Sequence, residues 1–227
     1  MILKTIASGS TGNSYLLHDK NECLILETGM PLMEVKKALD FNIRPIVGGV
    51  STHEHGDHFK YHAEYERAGI KMFYPFLTDE RKAQFGGFKV SAFELPHGET
   101  KSYGFFITHE EIGKLCFLTD FEFCPFSFQS QQIEHFMIEA NYQVDMVDMD
   151  APNFRHKIQG HCSDTTCIDF VKHNYSPHTR TISILHTNPS SIDEKAIVER
   201  IRGCVDDDVI VGVCHPGYEI ELKKEVF

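Results

Sequence analysis

The sequence predicts an α/β fold, because short apolar segments of strand type alternate along the chain with segments of helical periodicity. The clearest strand is the β-branched run at residues 45–51, which has the length of a buried strand. The clearest helix is residues 31–39, where Leu32, Val35 and Leu39 share one face. With 227 residues, 41% of them hydrophobic, the chain can bury a sizeable core. We therefore expect a single domain over residues 1–227.

The first half of the chain supplies two groups of elements. Residues 2–6 alternate in polarity as a strand does, and a loop rich in Gly and Ser follows at residues 7–14. Short apolar runs bounded by polar or turn residues predict further strands at 15–17, 23–26, 45–51 and 71–74. Apolar side chains at helical spacing predict a helix at 31–39, and residues 61–68 and 78–84 also look helical.

The second half repeats this alternation. Residues 88–93 alternate as a strand, and residues 104–108 and 115–118 predict a β pair. Later apolar runs predict strands at 136–139, 181–185 and 209–213. Helices are expected at 162–171 and 193–201, the second with Asp193 as its cap.

Charge and cysteine content exclude several classes of protein. The net charge of −11 and the scattered Lys and Arg argue against a large nucleic-acid or anionic-lipid surface. Seven Cys without a C-x-x-C pair argue against a disulfide framework. The N-terminal segment soon reaches Gly and Ser, so we expect neither a secretory signal nor a membrane span there. These observations favour a cytoplasmic protein with no membrane partner.

The strongest functional pattern is the loop that follows the strand at 45–51. Its sequence is Thr-His-Glu-His-Gly-Asp-His, and its ligand-type side chains are those of His53, His55, Asp57 and His58. His53 and His55 lie two apart and point the same way on an extended segment, while Gly56 lets the chain turn before Asp57. Imidazole and carboxylate ligands suit transition metals such as Zn or Mn. Four such side chains in one loop can serve two metal ions.

Further polar side chains lie at, or just beyond, the ends of expected strands. They are His97, Asp120, Glu139 and His186. In α/β folds, functional groups gather on loops at strand ends. Together with the His-rich loop they predict one site.

The ordered set of these residues resembles the metallo-β-lactamase superfamily over nearly the whole chain. This resemblance implies an αββα four-layer sandwich with two divalent metal ions between its sheets. Its motifs assign His53, His55 and His97 to the first metal. They assign Asp57, His58 and His186 to the second metal, with Asp120 bridging both. Glu27 stands where the family usually has Asp in its first motif.

Two further motifs resemble the phosphodiesterase branch, which includes tRNase Z. His161-Cys162-Ser163 is similar to its "HST" element, and Glu139-Ala140-Asn141 to its "HEAT" element. The resemblance implies a Glu139–His161 dyad, in which the Glu orients a His that protonates the leaving oxygen or contacts phosphate. Asp57, His161 and Glu139 are thus the expected catalytic residues. The alternative is that Glu139 and His161 have purely structural roles.

The spacing separates the branches. Asp120 follows His97 by only 23 positions, in the interval where tRNase Z has its tRNA-gripping arm, and no long insertion precedes His186. The compact plan and the Ser-Gly-Ser-Thr-Gly-Asn-Ser loop look like two small branches. One comprises the YycJ/WalJ-like exonucleases, and the other the viral anti-Pycsar phosphodiesterases, which open cyclic mononucleotides.

Three functions therefore compete. The first is hydrolysis of a small nucleotide phosphodiester such as a 3′,5′-cyclic mononucleotide, which the acidic pI near 5.6 favours. The second is an exonuclease acting on DNA or RNA, with Phe side chains in residues 121–128 available for stacking. The third is thioester or lactam hydrolysis, against which the expected dyad argues. The same Phe-rich segment also suggests an apolar patch, and we expect a homodimer.

Overall fold

The structure is a computed structural model that describes residues 1–147, 150 and 158–224. Two β-sheets pack face to face and helices cover their outer faces, so the expected αββα arrangement is confirmed. The strands of the first sheet, in chain order, are β1 (Ile2–Ala7), β2 (Ser14–His18), β3 (Cys23–Leu26), β4 (Ile46–Val50), β5 (Met72–Phe73) and β13 (Glu219–Glu221). Those of the second are β6 (Lys82–Phe85), β7 (Phe88–Leu95), β8 (Ser102–His109), β9 (Gly113–Leu118), β10 (His135–Glu139), β11 (Thr181–Leu185) and β12 (Ile210–Val213).

Five helices with defined bounds accompany these strands in the described part of the chain. They are α1 (Leu32–Ala38), α2 (Gly56–Phe59), α3 (His62–Arg67), α4 (Asp164–Asn174) and α5 (Glu194–Arg202). Short 3₁₀ turns lie at Gln129–Gln131 and Val144–Met146. Helix α4 begins at a Ser163 side-chain cap, and α5 at the Asp193 cap that the sequence predicts.

Both sheets are mixed, and the pairing places several strand ends together. The first sheet has the order β13-β1-β2-β3-β4-β5 and the second β12-β11-β10-β9-β8-β7-β6. Strands β9 to β12 run parallel to one another, as do β3, β4 and β5. In each parallel set the carboxyl ends therefore lie at one edge of the sheet. These edges carry the functional loops.

The core has the three apolar layers that a four-layer sandwich requires. Side chains from both sheets meet in the middle layer, for example Leu17 of β2 and Phe105 of β8. Helices α1 and α3 pack on the outer face of the first sheet. Helices α4 and α5 pack on the outer face of the second, where Val171 and Ile197 are fully buried. Alternate residues of one strand face different layers, as the period of two dictates.

One predicted element is wrong. Residues 78–84 were expected to be a helix, but residues 82–85 form β6, which pairs antiparallel with β7. The two strands join through Gly86 and Gly87, and Gly86 has a φ of +54°. A Gly-Gly pair between apolar residues favours a two-residue hairpin turn. In the structure this hairpin replaces the helix expected at residues 78–84. Two further elements, α2 and β13, were absent from the prediction because each has only three or four residues.

The other segments expected from sequence are present within a few residues of their predicted bounds. The expected pairing of β2 with β3 and of β8 with β9 is confirmed, both antiparallel. All seven cysteines are free thiols, five of them buried. No helix among the described residues is long and apolar enough to span a membrane.

Candidate metal centre

The sequence-predicted ligands come together where strands of the two sheets end. The His-rich loop follows β4, and its second half forms the single turn of α2. His97 lies two residues after β7, Asp120 two after β9, and His186 directly after β11. All but His55 and Asp57 are buried.

Asp120 lies between two groups of ligand atoms. The first group consists of four ligand atoms within 4.8 Å of one another, which come from His53, His55, His97 and Asp120. Asp57, His58 and His186 form a second such group, again with Asp120. The two groups match the assignment made from sequence. The cluster is therefore able to bind metal ions, and Asp120 is the one residue common to both groups.

The two oxygens of Asp120 face different groups. Its Oδ2 lies 3.6 Å from His53 Nε2 and 3.9 Å from His97 Nε2. Its Oδ1 lies 3.2 Å from His58 Nε2 and 2.5 Å from His186 Nδ1. Asp57 completes the second group, with its Oδ2 3.5 Å from His186 Nε2. A carboxylate placed in this way can bridge two ions.

Unsatisfied polar atoms show that the cluster fits metal ions. The Nε2 of His53 and the Nε2 of His186 are buried and have no hydrogen-bond partner among the residues that the structure describes. A buried nitrogen without a partner costs free energy. A metal ion at the centre of each group would satisfy these atoms, and imidazole with carboxylate is a donor set that Zn or Mn accepts.

Metal ligands must be neutral imidazoles or ionised carboxylates. The first group meets this condition, whereas in the second the Asp120 carboxylate outweighs burial and raises the pKa of His58 and His186, so an ion would displace protons from these two rings. Burial lowers the pKa of His97 to about 4 and holds the pKa of His53 well below its ordinary value, with help from the nearby His58. Burial alone would raise the pKa of Asp120, but the imidazoles of His186 and His58 outweigh it and hold that pKa well below its usual range. The carboxyl of Asp57 also has a lowered pKa, because contacts with the same two imidazoles outweigh its burial.

Backbone strain is concentrated at this site. Glu27, Asp120 and His186 have φ values of +69°, +47° and +51°, in the left-handed region that non-glycine residues rarely adopt. Each follows a strand of the parallel sets within two residues. Strain of this kind persists where the surroundings enforce it, and it clusters at functional sites.

The Glu139–His161 pair lies beside the shared carboxylate. His161 Nδ1 is 2.7 Å from Glu139 Oε1 and 3.9 Å from Asp120 Oδ2. Glu139 is fully buried, and its other oxygen accepts the backbone N–H groups of Phe121 and Cys162. Burial lowers the pKa of His161, but the Glu139 carboxylate outweighs burial, so the pKa is raised above its ordinary value. The side chain of His161 is 13% exposed, and thus a substrate can reach it.

Several supporting residues escaped the sequence analysis. Thr52 Oγ1 lies 2.9 Å from His53 Nδ1, and Thr100 Oγ1 lies 3.1 Å from His55 Nε2. The carbonyl of Gly160 lies 2.5 Å from His97 Nδ1. Such partners fix the orientation and tautomer of a ligating imidazole. A carbonyl 63 residues away along the chain leaves no sequence signal, although a Thr directly before His53 is a usable one.

Glu27 takes the position that its sequence motif suggests. Its Oε1 lies 3.5 Å from His58 Nδ1, on the ring edge that faces away from Asp120. Both of its oxygens accept the backbone N–H of Thr52 at 3.3 Å. The Glu27 side chain therefore contacts the imidazole of His58, one of the residues assigned to the second metal.

The remaining histidines were expected to have surface or packing roles. His215 pairs with Glu194 at 3.0 Å and is largely exposed, while His135 is buried against Thr181. His109 pairs with Glu22 at 3.2 Å. His156 lies outside the described residues.

Comparisons with known proteins agree with this geometry. The family model of the metallo-β-lactamase superfamily matches residues 7–70, which include the His-rich loop. A search of curated proteins found no match. The metallo-β-lactamase fold protein YhfI from Bacillus subtilis is similar in structure, with a TM-score of 0.69, 14% identity, and coverage of 96% of this chain and 98% of that one.

Two other solved structures show the same fold. Yeast PDE1 has a TM-score of 0.67 and 9% identity, with 96% of this chain and 98% of that chain covered. The short form of human tRNase Z has a TM-score of 0.61 and 14% identity, with 98% and 99% covered. At such identities the likeness establishes the fold. The chain thus has the metallo-β-lactamase fold, its residues 7–70 match the family model of that superfamily, and its ligand cluster is able to bind metal ions.

Proposed function

We propose that the protein is a phosphodiesterase that requires two metal ions and hydrolyses a small nucleotide phosphodiester, with 3′,5′-cyclic mononucleotides as the foremost substrates. The observation that carries this proposal is the Glu139–His161 pair, 2.7 Å apart and adjacent to Asp120. Cleavage of a phosphodiester expels an alkoxide, which needs a proton. A thioester expels a thiolate, which leaves readily without one. A positioned imidazole beside the ligand cluster therefore favours a phosphodiester.

The entrance to the site favours a small substrate. A cavity of about 380 Å³ opens beside His55 and His97, and Glu99, Thr100 and Gln159 are among its other lining residues. This volume is in the range of small-molecule sites. No Lys or Arg lines the cavity within the described chain, whereas polynucleotide binding depends on cationic contacts to phosphates. Strands β8 and β9 occupy the interval between His97 and Asp120, where tRNase Z was expected to have its arm.

Each residue of the proposed site has a defined task. Bound divalent ions, either Zn or Mn, would supply Lewis acidity and activate water. Asp120 holds the two ligand groups at a fixed separation, and Asp57 places a carboxylate in the second. Glu139 accepts the Nδ1 proton of His161, so that the opposite ring nitrogen can pass a proton to the leaving oxygen.

A panel of substrates tests this proposal. The protein, loaded with Zn or Mn, is assayed on 3′,5′-cyclic mononucleotides, single-stranded DNA and a thioester, with His53→Ala as the matched inactive control. We expect the cyclic nucleotides to be hydrolysed fastest. Faster release of nucleotides from DNA ends would favour the exonuclease hypothesis instead. Activity confined to the thioester would contradict the assignment of His161.

We also propose that the protein acts in the cytoplasm as a homodimer. Seven free thiols suit a reducing compartment. In the Phe-rich segment, Phe121 and Phe128 are buried in the core, whereas Phe123 and Phe126 are 48% and 45% exposed. Two of the four Phe rings of this segment are therefore exposed. Phe123 and Phe126 are the side chains available for a dimer contact.

A further inference from the structure

One loop contacts all three residues assigned to the second metal alone. This loop, residues 8–15, connects β1 to β2 and includes the first residues of β2. The backbone N–H of His186 donates to Ser8 Oγ at 2.8 Å. The side-chain nitrogen of Asn13 lies 3.4 Å from Asp57 Oδ2 and 2.9 Å from His58 Nε2. The backbone N–H of Asn13 also donates to the Asp57 carbonyl at 2.7 Å.

The orientation of the Asn13 amide follows from its neighbours. Its Oδ1 accepts the N–H of Gly9 at 2.9 Å and the hydroxyl of Tyr15 at 3.2 Å. Because two donors face Oδ1, the amide nitrogen must point the other way, toward Asp57. There it donates to Asp57 Oδ2, the oxygen that faces His186, and so it fixes the orientation of this carboxylate in the second group.

The Tyr15 hydroxyl connects Ser8 and Asn13, the two residues of this loop that contact the second group. It lies 2.8 Å from Ser8 Oγ and 3.2 Å from Asn13 Oδ1, and its single proton is shared between these two acceptors. The side chain is fully buried, and its ring packs edge-on against Phe117 with centroids 5.9 Å apart. A rigid, buried phenol therefore fixes the separation of Ser8 and Asn13. Through Ser8 it also supports the strained backbone of His186.

The residues assigned to the first metal have separate supports. His53 contacts Thr52, His55 contacts Thr100, and His97 contacts the carbonyl of Gly160. None of these partners belongs to the loop at residues 8–15. The two halves of the cluster share Asp120, and Glu27 contacts His58 in one half and the Thr52 N–H in the other, whereas the side chains of Ser8 and Asn13 contact residues of the second half.

We infer that Tyr15 is a positioning residue for the second metal, and that it sets the affinity of this ion independently of the first. The inference rests on the metal assignment of the proposed function. Loss of a partner that orients a ligand typically lowers metal affinity 10- to 100-fold. Removal of the Tyr15 hydroxyl should therefore weaken one of two binding events by about that factor and leave the other unchanged.

The test compares Tyr15→Phe with a matched variant of the other half, Thr52→Val, which removes the hydroxyl that contacts His53. Metal-free proteins are titrated with Zn²⁺ by calorimetry, and anomalous scattering from crystals at limiting Zn²⁺ identifies the site that fills. Tyr15→Phe should fill the His53 group first and bind the second ion weakly. Thr52→Val should show the reverse preference. Ser8→Ala removes the acceptor of the His186 N–H and should reproduce the effect of Tyr15→Phe without altering the buried ring.

The outcomes separate this inference from the proposed function. If the unmodified protein binds two ions and both Tyr15→Phe and Ser8→Ala bind them with unchanged affinities, the inference is wrong while the proposed function stands. Equal weakening of both sites in the two variants would also contradict the inference. If the unmodified protein binds no metal, the proposed function fails and the inference fails with it.

Discussion

Replacement of His161 by Ala should separate proton donation from metal binding. The structure places His161 Nδ1 on Glu139 at 2.7 Å, while Asp120 is 3.9 Å away. Six other residues supply the ligand atoms that surround Asp120 in the two principal groups. The His161→Ala variant should therefore keep its full metal content. It should also keep its fold, because the buried Glu139 retains the N–H groups of Phe121 and Cys162 and its contact with His186.

The expected loss of activity follows from the role of the side chain. A positioned general acid contributes about 10²- to 10⁴-fold, which corresponds to about 3–5 kcal/mol of activation free energy. The full loss should appear with a cyclic nucleotide, whose leaving group is an ordinary ribose alkoxide. The loss should shrink for a nitrophenyl phosphodiester, because that leaving group departs with little help from a proton.

The assay measures kcat/KM on both substrates together with metal content, and His53→Ala provides the contrast. His53→Ala should lose metal and activity together on both substrates. If His161→Ala lowered both rates equally, His161 would act by binding phosphate and the proton-donor role would be refuted. If His161→Ala lost a metal ion, its own ligand role would be established instead. A ligand role for His161 is geometrically possible, because a third compact group of ligand atoms includes it. The members of this group are Asp120, Glu139, His161 and His186.

Three further predictions follow from the structure. Treatment with a chelator should abolish hydrolysis, and Zn or Mn should restore it; metal-free protein that works at full rate would exclude the mechanism. Burial lowers the pKa of His135 to about 4 from its ordinary value of 6.5, so the unfolded chain takes up a proton first as the pH falls. His135 should therefore cost up to about 3 kcal/mol of stability between pH 6.5 and 4. The free energy of unfolding, measured with urea across this range, should depend less steeply on pH for His135→Gln than for the unmodified protein. Equal slopes for the two proteins would contradict this prediction. Finally, light scattering should show a dimer that Phe123→Ser with Phe126→Ser weakens, and a monomeric unmodified protein would refute the dimer.

Much of the fold could be predicted because its signals are local. The strands that end at the site are apolar runs bounded by turn residues, and their ends fall within a few residues of the prediction. The loop from His53 to His58 was recognisable because four ligand-type side chains follow a buried strand. The Gly86-Gly87 turn is also a local signal, but the helix expected at residues 78–84 takes no account of it, so the prediction misses β6.

The supports of the site could not be predicted, because they join residues that are remote in sequence. Ser8 and His186 are 178 positions apart, and nothing in the pattern around either residue indicates the other. Asn13 and Tyr15 lie in a segment that reads simply as a loop and a strand. The left-handed backbone of Glu27, Asp120 and His186 likewise depends on tertiary packing. Periodicity describes which face a residue occupies, but not the atom it meets there.

In the proposed mechanism, Asp120 joins two metal ions in one hydrolytic site. Anomalous scattering from a crystal of the fully loaded protein, recorded at the absorption edge of the bound metal, would show these ions. We expect two peaks per chain, both in contact with Asp120. One should be ligated by His53, His55 and His97, and the other by Asp57, His58 and His186. A single peak, or a peak held by Glu139 and His161, would contradict this two-metal site.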